Sequence, residues 1–145
     1  MILSKQIAVS INLVACKFTQ YTAARLRKEG VGITPEQFLL IDLLWNQGPM
    51  TQQRIADTML KDKNSVTKLI DALERKGLVV RKQSSTDRRA NNIFLTEKGE
   101  AMKDGAKEKG IDILDNILEG IDEDELLAFL DTLNKMSENM SKKPE

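Results

Sequence analysis

The 145-residue sequence predicts a mainly α-helical fold that contains one small β-hairpin. Apolar residues recur at spacings of three and four along several segments, as one face of an α-helix requires. Glycine and proline residues separate these segments, and a Thr or Asp stands before most of them in the position of a helix N-cap. One pair of short alternating runs, rich in β-branched residues, flanks a polar loop and predicts the hairpin.

Two helices open the chain. The first is predicted over residues 5–28 from an apolar stripe with alternating spacings of four and three, formed by Ile7, Ile11, Val14, Phe18 and Tyr21. For the second, Thr34 is the predicted N-cap, because Pro35 suits the first helical position and Gln37 completes a capping box. Its apolar residues cover more than one face, which predicts a central place in the core.

A short helix and a longer helix follow, separated by a tight turn. They are predicted over residues 52–59 and 63–76, with Thr51 and Asp62 as their N-caps. Two alternating runs between residues 78 and 95 then predict the strands of the hairpin. A short helix, a turn, a second helix and a hairpin are the elements of a winged helix-turn-helix domain.

Two further helices are predicted after the hairpin. The fifth helix is capped by Thr96 and extends to about residue 118. Asp122 and Glu125 form an acidic N-terminal box that predicts the start of the sixth. The apolar face of the sixth helix consists of Leu126, Leu127, Leu130, Leu133 and Met136.

The composition excludes several kinds of chemistry. The chain has no histidine, so it has no His-based catalytic triad, no imidazole base and no ordinary catalytic zinc site. The acidic run at residues 122–125 is explained by capping and the helix dipole rather than by a metal ion. The sequence therefore predicts neither an enzyme nor a bound cofactor or metal.

The single cysteine, Cys16, cannot form a disulfide within one chain. It lies off the apolar stripe of the first helix, and no second cysteine could resolve a sulfenic acid within a subunit. A redox role is therefore not favoured. No apolar run reaches the roughly 20 residues of a membrane span, and the first residues lack a secretory signal, so a cytoplasmic location is expected.

The net charge of zero conceals a segregation of charge along the chain. Residues 61–89 carry nine Lys/Arg against four Asp/Glu, whereas residues 111–141 carry one Lys against nine acidic residues. A basic segment can bind a polyanion, although many charge blocks are only solvated faces. The polar face of the helix at 63–76 can hydrogen-bond base edges in a major groove, and its alternative role is a solvated face of a core helix. The candidate DNA-binding residues here are Lys63, Asn64, Ser65, Thr67 and Lys68, with Gln52 and Gln53 on the preceding helix.

The loop of the hairpin carries two adjacent arginines, Arg88 and Arg89, directly after Asp87. An arginine on a protruding loop can enter the minor groove, where A·T-rich stretches concentrate negative potential. Asp87 can orient one guanidinium through a two-pronged contact. A polar turn that only keeps the loop solvated is the alternative, but the neighbouring helix-turn-helix favours a DNA-binding wing.

These segments resemble the MarR (multiple antibiotic resistance regulator) family of winged helix proteins. The resemblance rests on Asp87-Arg88-Arg89-Ala90 followed by Ile93-Phe94-Leu95-Thr96-Glu97-Lys98-Gly99, which is similar to the wing signature of that family. The segments 33–38, 69–73 and 73–79 support it, and the order of elements matches over nearly the whole chain. The resemblance implies a regulator of transcription that binds double-stranded DNA.

The resemblance also implies a homodimer whose first, fifth and sixth helices form the interface, although packing within one subunit is the alternative for those helices. On this basis residues 1–33 and 97–145 are predicted to be dimerisation helices, and residues 34–96 the winged helix-turn-helix DNA-binding domain. Two recognition helices and two wings would then read a pseudo-palindromic operator, with half-sites about one turn of DNA apart or a multiple of that.

Many members of that family bind a small, often aromatic or anionic effector and then release DNA, which implies a ligand-responsive repressor. Such a ligand would contact Phe18, Tyr21, Phe38 and Trp45, for which an ordinary place in the core is the alternative. A rival function is a winged helix that serves as a protein–protein interaction module without DNA binding. The Lys, Asn, Ser and Thr face of the recognition helix argues against that rival.

Overall fold

The computed structural model describes residues 2–83, 85–86 and 91–142. The chain divides into two compact units, Met1–Ile113 and Leu114–Glu145, and each is described by itself. No helix in the described ranges is long and apolar enough to cross a membrane. The elements are α1 (Leu3–Lys28), α2 (Pro35–Gln47), β1 (Met50–Thr51), α3 (Gln52–Met59), α4 (Lys63–Arg75), β2 (Val79–Gln83), β3 (Asn91–Leu95), α5 (Glu97–Ala101), α6 (Lys103–Ile117) and α7 (Glu123–Ser141).

Side-chain caps fix the starts of most of these helices, as the sequence predicts. At α2 the hydroxyl of Thr34 accepts a hydrogen bond from the Gln37 amide at 3.2 Å, while the Gln37 side chain accepts one from the Thr34 amide at 3.1 Å. Thr51 caps α3 in the same way through the Arg54 amide. At α7 the prediction is only half right, because the helix begins after Asp122 but the Asp122 side chain accepts no capping hydrogen bond.

The hairpin is confirmed, and a third strand joins it that the sequence analysis missed. The sheet has the antiparallel order β1-β3-β2, with Met50 opposite Ile93 and Val79 opposite Leu95. Because β1 has two residues, it is too short to show an alternating pattern. It forms where Gly48 and Pro49 end α2 and turn the chain towards β3.

The single fifth helix predicted from residue 96 to about 118 is wrong, because two helices occupy that segment. The first, α5, ends at Ala101, and its C-cap Met102 has a ψ of −7°, away from the usual α-helical value of about −42°. The second, α6, starts directly afterwards at Lys103. Gly99 and Gly105 flank the break, and glycine is the weakest helix former after proline.

The core of the first unit lies between α2, α3, α4 and the sheet. Its fully buried side chains are Leu40, Ile41, Leu44, Ile55, Val66, Ile70, Leu73 and Ile93. The predicted place of α2 in the core is confirmed, but only one face of the helix is buried, with Leu40, Ile41 and Leu44 on it, whereas Leu39 on the opposite side is 60% exposed. The buried stripe of α4 consists of Val66, Ile70 and Leu73, with Leu69 packed at its edge.

Two long helices leave their apolar residues unburied. In α1 only Thr22 and Leu26 are buried, and the side chains of the predicted stripe are between 38% and 61% exposed. In α7 no residue is buried, although Leu127, Leu130 and Leu133 belong to its predicted apolar face. Monomeric proteins rarely expose contiguous apolar surface on this scale, so both helices point to further contacts.

The turn between α3 and α4 contains a strained residue. Leu60 has a positive φ of 54° and its side chain is 92% exposed. A residue with a Cβ pays roughly 1–2 kcal/mol in this left-handed region, whereas glycine adopts it freely.

We expect Leu60→Gly to raise the free energy of unfolding by about 0.5–1 kcal/mol, since relief of the strain exceeds the entropy that glycine adds to the unfolded chain. Urea unfolding followed by circular dichroism, at one protein concentration, measures this change. Arg54→Gly is the matched control on exposed helical backbone of α3 and should destabilise by about 0.5 kcal/mol. A loss of stability in Leu60→Gly would contradict the strain argument.

Candidate nucleic-acid interface

The helices α3 and α4 form a closely packed helix-turn-helix. Ile55 and Ala56 of α3 are buried, and the small Ala56 side chain lets the two helices approach each other. The turn is closed by a hydrogen bond of 3.0 Å from the Lys61 amide to the Ala56 carbonyl. The short helix predicted over residues 52–59 is therefore confirmed.

Asp62 fixes the start of α4. Its carboxylate accepts hydrogen bonds from the Ser65 amide at 2.7 Å and from the Ser65 hydroxyl at 2.9 Å. These two bonds stabilise the ionised form and hold the pKa of Asp62 below its usual value. The cap orients the first turn of α4, which carries the candidate DNA-binding residues.

The candidate residues of α4 fall into two groups. Lys63, Asn64 and Lys68 are exposed, and neither lysine forms an ion pair with another residue of the described ranges. Ser65 and Thr67 are half-buried, and the Thr67 hydroxyl donates a hydrogen bond of 2.9 Å to the Lys63 carbonyl. The helix therefore presents two cations and an amide to solvent, with two hydroxyls beside them.

The two glutamines of α3 have different surroundings. The Gln52 amide donates a short hydrogen bond to the Thr67 hydroxyl, so it connects the start of α3 to the middle of α4. Gln53 is exposed and donates to the Asp57 carboxylate within its own helix at 2.9 Å. Among the described residues, Gln52 therefore bonds a member of the candidate set, whereas Gln53 bonds within its own helix.

Arg81 on β2 forms an ion-pair cluster with α4 that the sequence analysis missed. Its guanidinium bonds the carboxylates of Asp71 and Glu74 and also donates to the Thr67 carbonyl at 3.4 Å. Thr67, Asp71 and Glu74 are spaced by four and three residues, so they lie on one face of the helix. That polar stripe, next to the buried stripe, is the signal from which a basic partner could have been predicted.

The ribbon formed by β2 and β3 leads into the loop. Val79 and Ile93 face the core, while Lys82 lies over the Phe94 ring with its ammonium 4.9 Å from the ring centre. The strands pair as far as Gln83 opposite Asn91. The predicted contributions of Asp87, Arg88 and Arg89 fall outside the described residues and remain predictions.

The segment after β3 anchors the ribbon to the helices. The Thr96 hydroxyl donates to the Gly77 carbonyl at 2.6 Å and accepts from the Gly99 amide at 3.1 Å, which caps α5. The Lys98 ammonium bonds the Lys76 carbonyl at the end of α4. Thr96, Lys98 and Gly99, which belong to the segment similar to the MarR wing signature, therefore connect α4, the ribbon and α5.

The aromatic residues considered for ligand binding do not form one cluster of ring contacts. Phe38 and Trp45 pack edge to face with ring centres 5.9 Å apart, and the Trp45 N–H donates to the Gly99 carbonyl at 3.1 Å in the core. Phe18 and Tyr21 are exposed on α1, and the Tyr21 hydroxyl accepts a hydrogen bond of 3.0 Å from Arg25. Within residues 2–83, 85–86 and 91–142, no group of carboxylate or thiol side chains could hold a metal ion.

Comparisons with known proteins agree with this architecture. The model of the MarR family matches residues 33–90. The chain is 41% identical over 68 residues to the HTH-type transcriptional regulator MhqR of Bacillus subtilis (strain 168), an alignment that covers 47% of each protein. It spans about half the length of the first curated relatives it matches.

Two solved structures match nearly the whole chain. A MarR-family transcriptional regulator from Rhodococcus sp. RHA1 has a TM-score of 0.81 and 27% identity over 94% of this chain and 95% of that one. Overoxidized AbfR bound to DNA has a TM-score of 0.77 and 25% identity over 97% of this chain and 95% of that one.

The tight pair α3 and α4, followed by the ribbon of β2 and β3, defines a winged helix-turn-helix protein. Its polar recognition-helix face and its basic middle segment are the features with which such proteins bind nucleic acid. Over residues 33–90 the chain is similar to the MarR family, and its fold is similar to that of a solved MarR-family regulator.

Proposed function

We propose that the protein is a sequence-specific, double-stranded DNA-binding regulator of transcription, not an enzyme, and that it acts in the cytoplasm as a ligand-responsive repressor. One observation carries the proposal. The exposed side chains of Lys63, Asn64 and Lys68 form a polar row on a helix whose other face is buried. The similarity to AbfR, which was solved on DNA, supports the same use of this surface.

The hydrogen bonds of α4 indicate what each group offers to DNA. The hydroxyls of Ser65 and Thr67 donate their protons within the protein, so towards a base they act as acceptors. Acceptors complement the amino groups of cytosine and adenine, whereas Lys63 and Lys68 complement guanine edges or phosphates. Asn64 has the paired donor and acceptor that match adenine.

We further propose a homodimer that reads a pseudo-palindromic operator. The exposed apolar residues of α1 and α7 support it, because these side chains are mostly about half-exposed and burial of the remaining surface of each against a second copy contributes about 1 kcal/mol. In this proposal residues 1–33 and 97–145 provide the dimerisation helices, and residues 34–96 bind DNA.

An effector with an aromatic or anionic group is also proposed. Phe18 and Tyr21 offer exposed rings, and Arg25 beside Tyr21 offers a cation. Trp45 and Phe38 pack against each other, and the Trp45 N–H is already bonded to the Gly99 carbonyl. In this proposal the two residues therefore offer the effector apolar ring surface and no hydrogen bond. A titration of benzoate that follows the fluorescence of Trp45, the one tryptophan, tests this, and unchanged emission and unchanged DNA binding at millimolar benzoate would count against it.

We expect the double replacement Arg88→Ala and Arg89→Ala to weaken binding about 100-fold to a duplex that the parent protein selects from a random-sequence library. The dependence of log affinity on log salt concentration should become less steep by about two, because each cation lost from the DNA contact removes about one released counterion. Fluorescence anisotropy between 50 and 300 mM salt (roughly the range over which such slopes are measured) provides both quantities.

The matched control removes the same charge elsewhere. Lys135→Ala with Lys142→Ala on α7 and directly after it should leave the slope unchanged. Unchanged affinity and slope in the Arg88 and Arg89 variant would refute the wing contact. If the parent binds no duplex even at low salt, the rival function as a protein–protein interaction module replaces DNA binding.

A further inference from the structure

We propose that Arg81 is a positioning residue that sets the recognition helix α4 against the wing ribbon, and that it does not bind DNA phosphate itself. The inference rests on the proposed function. It adds a specificity-determining residue that lies outside the polar row of Lys63, Asn64 and Lys68. Arg81 is a cation beside the recognition helix, so a phosphate contact would be the simple expectation. Its contacts indicate a different role.

The guanidinium of Arg81 bridges the two elements at several atoms. One terminal nitrogen, Nη1, bonds the Glu74 carboxylate, and the other, Nη2, bonds the Asp71 carboxylate at 2.6 Å. Nη2 also donates to the Thr67 carbonyl at 3.4 Å. A planar guanidinium makes such multiple contacts in a fixed geometry, so the bridge restrains the angle between helix and strand as well as their distance.

These contacts leave Arg81 poorly placed to bind phosphate. Its side chain is 21% exposed, and it would have to leave two carboxylates before it could reach a DNA backbone. Such an exchange gains little, because one anionic partner replaces two. The exposed Lys63 and Lys68 have no ion pair of this kind within the described part of the chain and remain the better phosphate ligands.

The bridge also includes Thr67, which is one of the candidate DNA-binding residues. The carbonyl of Thr67 receives the Arg81 bond, and its hydroxyl receives the bond from Gln52 of α3. Thr67 is thereby fixed from the ribbon and from the preceding helix at once. A shift of the ribbon relative to α4 would therefore move the bonds that orient Thr67 and would also move the loop that β2 and β3 carry.

The bridge also controls charge. Asp71 and Glu74 lie on the recognition helix, and without a partner they would place two negative charges near the DNA backbone. Arg81 neutralises half of that charge and keeps both carboxylates turned towards the ribbon. The double variant Asp71→Asn with Glu74→Gln separates the two roles. The loss of negative charge should raise affinity for any DNA, whereas the loss of positioning should lower the preference for the selected duplex.

The experiment compares Asp71→Asn with Glu74→Gln as a double variant, Arg81→Met, and the parent, on the selected duplex and on a random duplex. In the double variant the protein loses two negative charges and its net charge rises by two, so affinity for random DNA should rise. If Arg81 positions the helix, the ratio of selected to random affinity should nevertheless fall about 10-fold, which corresponds to the loss of one well-aligned base contact.

Arg81→Met should lower that ratio by a similar factor while the salt slope stays at the parent value. Lys68→Met is the matched control for a phosphate contact and should lower affinity for both duplexes equally. Its dependence of log affinity on log salt concentration should be less steep by about one. Arg81→Met behaving like Lys68→Met would overturn the proposal, and so would an unchanged affinity ratio in both Arg81→Met and the double variant.

A DNA-free measurement separates this inference from the proposed function. If the parent selects no duplex, the proposed function fails, and hydrogen exchange of Arg81→Met alone still tests the bridge. Faster exchange confined to β2, β3 and the second half of α4 would support it, and exchange equal to the parent in these elements would overturn it.

Discussion

Replacement of Gly99 by alanine is expected to destabilise the first unit so that it unfolds at urea concentrations at which the parent is still folded. A Cβ at this position would overlap the backbone carbonyl oxygen of Leu78 and would press on the Leu95 side chain. Backbone cannot move aside as a flexible side chain can. We expect a loss of about 3 kcal/mol, the upper end for overpacking, out of a total stability of roughly 5–15 kcal/mol.

The surrounding hydrogen bonds explain why α5 cannot shift away from Leu78. The Gly99 carbonyl accepts the Trp45 N–H from the core, and the Gly99 amide donates to the Thr96 hydroxyl. Thr96 is held in turn by the Leu78 carbonyl and the Gly77 carbonyl. A displacement of α5 that relieved the new contact would break bonds to both the core and the ribbon, and each buried donor or acceptor left alone costs about 1–3 kcal/mol.

Urea unfolding of the parent and of Gly99→Ala, at one protein concentration, measures this effect. Gly105→Ala is a close control, because a Cβ on Gly105 meets nothing within 4 Å and the residue lies in α6. It should stabilise the protein by about 0.5–1 kcal/mol, since alanine is the better helix former. A Gly99→Ala protein as stable as the parent would mean that α5 does not approach Leu78 so closely.

Gly99 also illustrates what the sequence could and could not predict. Gly99 lies in the segment that resembles the wing signature of the MarR family. Nothing in the order of residues, however, indicates that the Leu78 backbone, 21 positions earlier, approaches it. Local signals were more informative. The caps at Thr34, Thr51 and Asp62 are confirmed, because capping depends on atoms within three residues of one another.

The features that were missed depend on contacts between distant segments. Strand β1 forms because Met50 pairs with Ile93 of β3. Arg81 forms ion pairs because Asp71 and Glu74 of α4 lie opposite it. The candidate row of α4 was predicted from its polar composition, but the division into exposed cations and internally bonded hydroxyls required the structure.

The second large effect is expected at the proposed dimer interface. We expect Ile11→Glu with Val14→Glu to convert the dimer into a monomer, because both side chains belong to the exposed apolar stripe of α1. Two carboxylates buried in an apolar interface without partners would cost more than the interface gains from those positions. Light scattering after size-exclusion chromatography measures the mass, and the variant should remain folded, since neither residue is buried within one chain.

DNA binding should fail together with dimerisation. A dimer places two recognition helices on one operator, and the second contact is strengthened by the high effective concentration that the first creates. The monomer should therefore bind the selected duplex at least about 100-fold more weakly, while its half-site contacts remain intact. Asn12→Glu with Gln20→Glu adds the same two charges to the opposite side of α1 and should preserve both mass and affinity. A dimeric Ile11 and Val14 variant would place the interface elsewhere, and a monomeric parent with full operator affinity would remove the two-fold arrangement from the proposed mechanism.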